Sequence, residues 1–132
     1  MAQDVKCELL ALNQKLLNAI GAADWETYTQ LCDPSISCFE PEALGHLVEG
    51  MEFHQIYFTQ SPKSGAVIQF TMANPHVRLT ADMAVISYYR LTQVSSAPGS
   101  FATKGTEETR VWQKINGQWK HVHFHRSPSQ TA

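Results

Sequence analysis

Thr106-Glu-Glu-Thr-Arg-Val-Trp-Gln-Lys-Ile115, Asn116-Gly117 and Gln118-Trp-Lys-His-Val-His-Phe-His-Arg126 run consecutively near the C-terminus. Their reading decides the fold. Two β-rich runs with period-two patterning flank an Asn-Gly pair, both of whose residues tolerate positive φ, so this is an antiparallel hairpin with a two-residue turn. Working back from it, the same period recurs near 66 to 80 and 83 to 94. The four runs together predict an antiparallel sheet. Asn74-Pro75 interrupts the first run, where a bulge or bend is expected because proline cannot donate a ladder hydrogen bond. The insert from Ser95 to Gly105 is rich in small residues and is read as a mobile surface loop.

Upstream of the sheet the period changes. Leu9, Leu12, Leu16 and Ile20 recur at three- and four-residue steps, predicting an amphipathic helix from about Asp4 to Ile20 that stops at Gly21. Asp24 caps a second helix carrying Trp25, Tyr28, Leu31 and Cys32, closed by Pro34 after Asp33. Ser35 to Phe39 reads as a short strand. A third helix, with Met51, Phe53, Ile56, Tyr57 and Phe58, follows Gly50 and ends before the turn Ser61-Pro62-Lys63-Ser64-Gly65. Helices first and strands afterwards predict an α+β fold, with N-terminal helices packed on one face of a curved antiparallel sheet.

At 132 residues and 43% hydrophobic content, the chain is expected to form one domain with its own core, over residues 4–128, between flexible termini at 1–3 and 129–132. A net charge of -2 supplies no basic surplus for nucleic acid or anionic membrane. Cys7, Cys32 and Cys38 are odd in number and form no C-x-x-C pair, so they are read as thiols in a reduced, cytoplasmic compartment. No signal-peptide or spanning segment is visible.

Of the four arginines, Arg90, Arg110 and Arg126 fall inside predicted strands. By alternation Arg90 shares a face with Ile86 and Tyr88, Arg110 with Trp112, and Arg126 with Val122 and Phe124, which is the apolar side each time. Either they reach into a cavity and demand anions or carboxylates, with Glu108 a candidate partner of Arg110, or each pairs internally and snorkels to the rim. His121, His123 and His125 alternate like a sheet metal site. Their face lies opposite Val122, Phe124 and Arg126, so they are read as polar contacts facing outward or into a subunit contact, with no metal expected. His54 sits on an aromatic helix, either structural or at the cavity mouth. Glu40 and Glu42 flank Pro41 either as an acid/base pair or, favoured here, as loop carboxylates or partners for arginine. No phosphate loop, nucleophile elbow or Cys/His nucleophile signature is present.

Phe39-Glu-Pro-Glu-Ala-Leu-Gly-His-Leu-Val-Glu-Gly-Met-Glu-Phe-His54, Asn74-Pro-His-Val77, Arg90-Leu-Thr-Gln93, Glu107-Glu-Thr-Arg-Val-Trp112 and Val122-His-Phe-His-Arg-Ser127 occur in one order along the chain. Together they closely resemble the association, or hub, domain of calcium/calmodulin-dependent protein kinase type II, over about Asp4 to Ser127. The resemblance implies the cone-shaped fold of nuclear transport factor 2, scytalone dehydratase and ketosteroid isomerase, with a strongly curved sheet. It further implies a non-enzymatic scaffold without cofactor that gathers kinase subunits in two stacked rings of dimers, about 12 to 14 subunits in all. In the family the three arginines line a pocket able to take anionic groups. The matching residues are Arg90, Arg110 and Arg126, with His54 near them. Thr59-Gln60-Ser61-Pro62 and the loop from Val94 to Gly105 depart from the pattern of animal hubs. With no kinase or calmodulin-binding segment, the sequence reads as an excised hub or a free-standing relative. A cone-fold enzyme of isomerase or lyase type, or a small-carboxylate sensor using the same pocket, are the alternatives. Excess arginine with no obvious base weighs against the enzyme.

Overall fold

The N-terminal helix α1 (Ala2–Gly21) buries Leu9, Leu16 and Leu17 completely, with Leu12 and Ile20 half-buried at the edge of the stripe. Asn13 is also fully buried on this face. Its Nδ2 donates to Tyr88 Oη at 3.1 Å and its Oδ1 accepts from Trp112 Nε1 at 3.0 Å, so the polar group is satisfied and ties the helix to the sheet. The helix stops at Gly21, where a Cβ would meet the Phe70 ring at 3.2 Å. These features belong to a computed structural model, which describes residues 2–59, 67–97, 99–128 and 130–131.

Asp24 caps α2 (Trp25–Leu31) by accepting from the Thr27 amide at 3.1 Å. The helix ends at Leu31 because Cys32 is already extended and opens β1 (Cys32–Phe39). A 3-10 turn (Pro41–Ala43), the short β2 (Val48–Glu49), a second 3-10 turn (Glu52–Gln55) and one turn of α3 (Ile56–Thr59) follow. The third helix is thus mostly 3-10. The turn Ser61 to Gly65, and the family departure from Gln60 onward, lie outside the described residues.

Strands β3 (Val67–Leu79), β4 (Met83–Ala97), β5 (Ser100–Ile115) and β6 (Gln118–Arg126) form an antiparallel meander, and the sheet runs β2-β1-β6-β5-β4-β3. Asn116 and Gly117 take positive φ at the β5–β6 hairpin, and Asn74 does so at a bulge between Ala73 and His76. Three expectations about the sheet need correction. The sheet is mixed, since β1 runs parallel to β6 with Cys38 opposite Phe124. No hairpin joins these two strands, so no turn imposes an antiparallel direction. The described residues of the Ser95 to Gly105 insert continue the ladder, with Ser95 paired to Phe101 and Ala97 to Ser100, because ladder hydrogen bonds need no large side chains; Pro98 lies outside the described residues.

The third correction concerns the histidines. A register shift lies between Val111↔His123 and Trp112↔His121, which makes Val122 an extra residue and resets the alternation. His121 therefore turns inward, fully buried and stacked on Phe124 at 5.6 Å, while His123 and His125 remain on the outer face. The three do not share a face. At the chain ends, α1 begins at Ala2, and β7 (Gln130–Thr131) pairs with β5 at Lys104 and Gly105. Met1, Ser129 and Ala132 of the termini expected to be flexible lie outside the described residues.

Candidate functional site

The antiparallel register brings the arginines together. Glu108 on β5 stands directly opposite Tyr88 on β4 and opposite Arg126 on β6, while Arg110 faces Ile86 and Phe124, and Arg90 faces Thr106. All of these point to the inner face of the curved sheet, where direct partners sit about 5 Å apart at Cβ. The helices close this space to a cavity of about 230 Å³. Its walls include Arg90, Arg110, Arg126, Glu40, Glu42, Tyr28, Ile20, Ile68, Phe70 and Phe124.

Two ionic layers occupy the cavity. In the deep layer Glu108 Oε2 meets Arg90 Nη1 at 2.7 Å, and its Oε1 meets Arg110 Nη2 at 3.1 Å. Tyr88 Oη donates to the same Oε1 and accepts from Arg110 Nε at 3.0 Å. The guanidiniums also lie over aromatic rings, Arg90 over Phe70 at 4.7 Å and Arg110 over Phe124 at 4.5 Å. Burial by itself would raise the Glu108 carboxyl, but Arg110 and Arg90 overrule it and hold the group below the usual range. Burial pushes the Tyr88 hydroxyl up to about 12, which keeps it a donor at neutral pH. Burial opposes the charge on Arg110, and Glu108 and Tyr88 more than offset that opposition.

In the rim layer Arg126 Nη2 holds both carboxylate oxygens of Glu42, one at 2.5 Å, with Glu40 Oε2 at 3.6 Å. The Glu40 side chain is 0% exposed and that of Glu42 is 34% exposed, so one carboxylate is fixed and the other reaches solvent.

His54 is brought close but stands behind Tyr28: it is fully buried, with Nδ1 at 2.7 Å from Tyr28 Oη and Nε2 at 3.8 Å from Cys38 Sγ. Burial, and then the Arg110 charge, push its pKa down to about 4, so the ring is neutral at pH 7. His121 is displaced well below its ordinary value by burial and by Arg110, with Cys32 Sγ at 3.4 Å. The Cys32 and Cys38 thiols are both pushed up to about 12, chiefly by burial, which leaves them protonated and poor nucleophiles. Among the described residues, no group of three or more His, Cys, Asp or Glu is placed to hold a metal. No described helix is long and apolar enough to cross a membrane.

Sequence reasoning named every charged member of both layers. It passed over the groups that orient them: Tyr88 between Glu108 and Arg110, Tyr28 in front of His54, and the rings of Phe70 and Phe124. Tyr88 and Phe124 carried a usable signal, since each lies two residues before an arginine on the same face. Phe70 carried none without the β3–β4 register.

The family model for the calcium/calmodulin dependent protein kinase II association domain matches residues 5–130. The chain is 48% identical over 135 aligned residues to the rabbit calcium/calmodulin-dependent protein kinase type II subunit delta, an alignment covering 98% of this chain but 25% of that protein. The solved hub homology domain from Chlamydomonas reinhardtii is 52% identical, covering 93% of this chain and 97% of that one at a TM-score of 0.85. A nuclear transport factor 2-like superfamily protein from Salmonella enterica, 25% identical, superposes at a TM-score of 0.77 over 100% of this chain and 96% of its own. The cone architecture is therefore that of the nuclear transport factor 2 type, and the chain belongs to the calcium/calmodulin dependent protein kinase II association domain family.

Proposed function

We propose that this chain is an oligomerisation hub, one domain over about residues 4–128, that closes into two stacked rings of dimers and gathers kinase subunits. The observation that carries this reading is family membership across residues 5–130. A physical correlate supports it. The outer face of the sheet and its edges carry Phe39, Tyr89, Val67 and Phe101, all exposed in the single chain, as expected of a surface that associates with copies of itself. Closed dihedral symmetry of about 12 to 14 subunits follows from the family. The compartment in this reading is the cytosol. Native mass spectrometry at micromolar concentration should give such a large assembly; monomers and dimers alone would overturn the proposal.

The pocket supports a second, compatible role: Arg90, Arg110 and Arg126, backed by His54, receive a small carboxylate. Three guanidiniums converging on one cavity of about 230 Å³, among Ile20, Ile68, Phe70 and Phe124, favour it. Succinate should raise the melting temperature of the wild-type chain, and Arg110→Ala should abolish that response. An equal response in both would defeat the anion site. An enzymatic reading is less well supported, because each candidate base is already committed. His54 is held by Tyr28 and Cys38, Glu108 by two arginines, and Glu40 and Glu42 by Arg126.

A further inference from the structure

The run His121-Val-His-Phe-His125 lies outside the chemistry of the pocket. Three imidazoles on one strand face would make a metal site, and the slip of β5 past β6 dismantles it by burying His121 against Phe124. A pair is left. His123 and His125 keep the two-residue step of a regular strand on the outer face of β6, opposite Val111 and Thr109 of β5. Their Cβ atoms therefore stand about 6.5–7 Å apart on one side of the sheet.

The parallel strand on the other side of β6 supports both rings. Ser37 of β1 lies opposite His123, and Phe39 lies opposite His125. Ser37 Oγ is 2.7 Å from His123 Nδ1, and the Phe39 ring packs on both imidazoles, edge-on to His123 at 6.2 Å and tilted to His125 at 5.4 Å. In the tautomer whose Nδ1–H donates to the Ser37 hydroxyl, Nε2 of His123 keeps its lone pair. A hydrogen bond from the second ring nitrogen is what fixes the tautomer and orientation of a metal-ligating histidine. Among the described residues neither ring nitrogen of His125 has a hydrogen-bond partner, and that residue is exposed.

The surroundings favour a cation. The cross-strand partners of the two histidines are Ser37, Val111, Phe39 and Thr109, none of them basic. Glu49 of β2 pairs with Ser37, and Glu107 is the next residue on the same face of β5 beyond Thr109. At about 7–10 Å from the histidines, measured between Cβ atoms, these two carboxylates add negative potential without being ligands.

We propose that His123 and His125 chelate one divalent cation of the imidazole-preferring kind, such as Ni²⁺, Zn²⁺ or Cu²⁺, through one ring nitrogen each, with water in its remaining positions. Bonds of about 2.0–2.1 Å bring the two nitrogens to about 3 Å from each other, which the rings reach by leaning together. Mg²⁺ and Ca²⁺, which take oxygen ligands, gain nothing from the pair. The pair is thus more than the polar contacts expected of the run.

The test is calorimetric titration of Ni²⁺ at pH 7.5 into the wild-type chain and into His125→Asn, Ser37→Ala and His76→Asn, with Mg²⁺ as the control ion. His76 is an exposed histidine on β3, away from the pair. The wild type should take up one Ni²⁺ per chain at the pair and give no response to Mg²⁺. His125→Asn should weaken that uptake at least about tenfold, and Ser37→Ala about tenfold, because the His123 ring loses the partner that orients it. His76→Asn should leave it unchanged. Nitrogen-15 spectra of the imidazoles with Zn²⁺ should show the ion on Nε2 of His123, with Nδ1 still protonated. No Ni²⁺ uptake by the wild type, uptake equal in His125→Asn, or uptake lost with His76→Asn instead overturns the proposal. Affinity unchanged in Ser37→Ala overturns the built site as well, since the histidines would then bind as unsupported surface groups.

Discussion

The deep and rim ion pairs of the same pocket differ in kind. Glu108 is 0% exposed between the guanidiniums of Arg110, 2% exposed, and Arg90, 11% exposed, so the carboxylate that joins them is wholly cut off from water. Arg126 is nearly as enclosed at 11%, but one of its two carboxylates touches solvent and sits on a single turn of 3-10 helix. Removing one partner of an enclosed pair strands a charge in a poor solvent, whereas removing a rim partner lets water take its place. The lesson is that a cluster of like residues splits into an enclosed part and a solvent-touching part according to which backbone carries the counter-charge.

The contrast is broken most severely at Glu108. Glu108→Gln leaves Arg90 and Arg110 facing each other without a carboxylate and should cost about 3–5 kcal/mol of stability. The expected readout is a melting temperature lowered by at least about 10 °C, or failure to fold. A variant as stable as wild type would mean that the deep layer is not a structural ion pair.

Acid sharpens the same contrast with a smaller effect. His54 has a folded pKa depressed from 6.5 to about 4, so the folded state disfavours its proton, and stability falls as pH drops from about 6.5 toward 4. The loss should be about 2 kcal/mol by pH 4.5. Glu108, also depressed, contributes stability above its unfolded value that disappears only below that, as pH falls through its folded pKa. Denaturant titrations from pH 7.5 to 4.5 should therefore show a decline starting near neutrality, and because burial displaces His121 downward in the same way, His54→Gln should make the decline shallower without removing it. A wild-type profile that stays level to pH 5 would contradict the buried neutral imidazole.

The smallest effect belongs to the rim. Glu42→Gln should change stability by less than about 1 kcal/mol, because Glu40 remains on Arg126 and water reaches the vacated side. Chemical denaturation gives the number. A loss as large as that of Glu108→Gln would erase the distinction between the layers.

Local chemistry in the chain was enough to settle a good deal. Asn116-Gly117 turned the last hairpin, Asn74-Pro75 broke the ladder of β3, Asp24 capped α2, and simple alternation pointed Arg90, Arg110 and Arg126 inward, as the structure has them. Each of these depends on one residue's φ preference, one missing donor or the two-residue period of a strand, all of which a sequence states directly. Other features depended on partners far along the chain. The extra residue at Val122 exists only because β5 and β6 slip past each other there, and it sent His121 into the core while its neighbours stayed outside. The parallel direction of β1, the Ser95–Gly105 ribbon and the place of Phe70 under Arg90 likewise follow from which strand lies beside which. Cross-strand register is set by the fit of the whole sheet against its helices, and no window of neighbouring residues contains it.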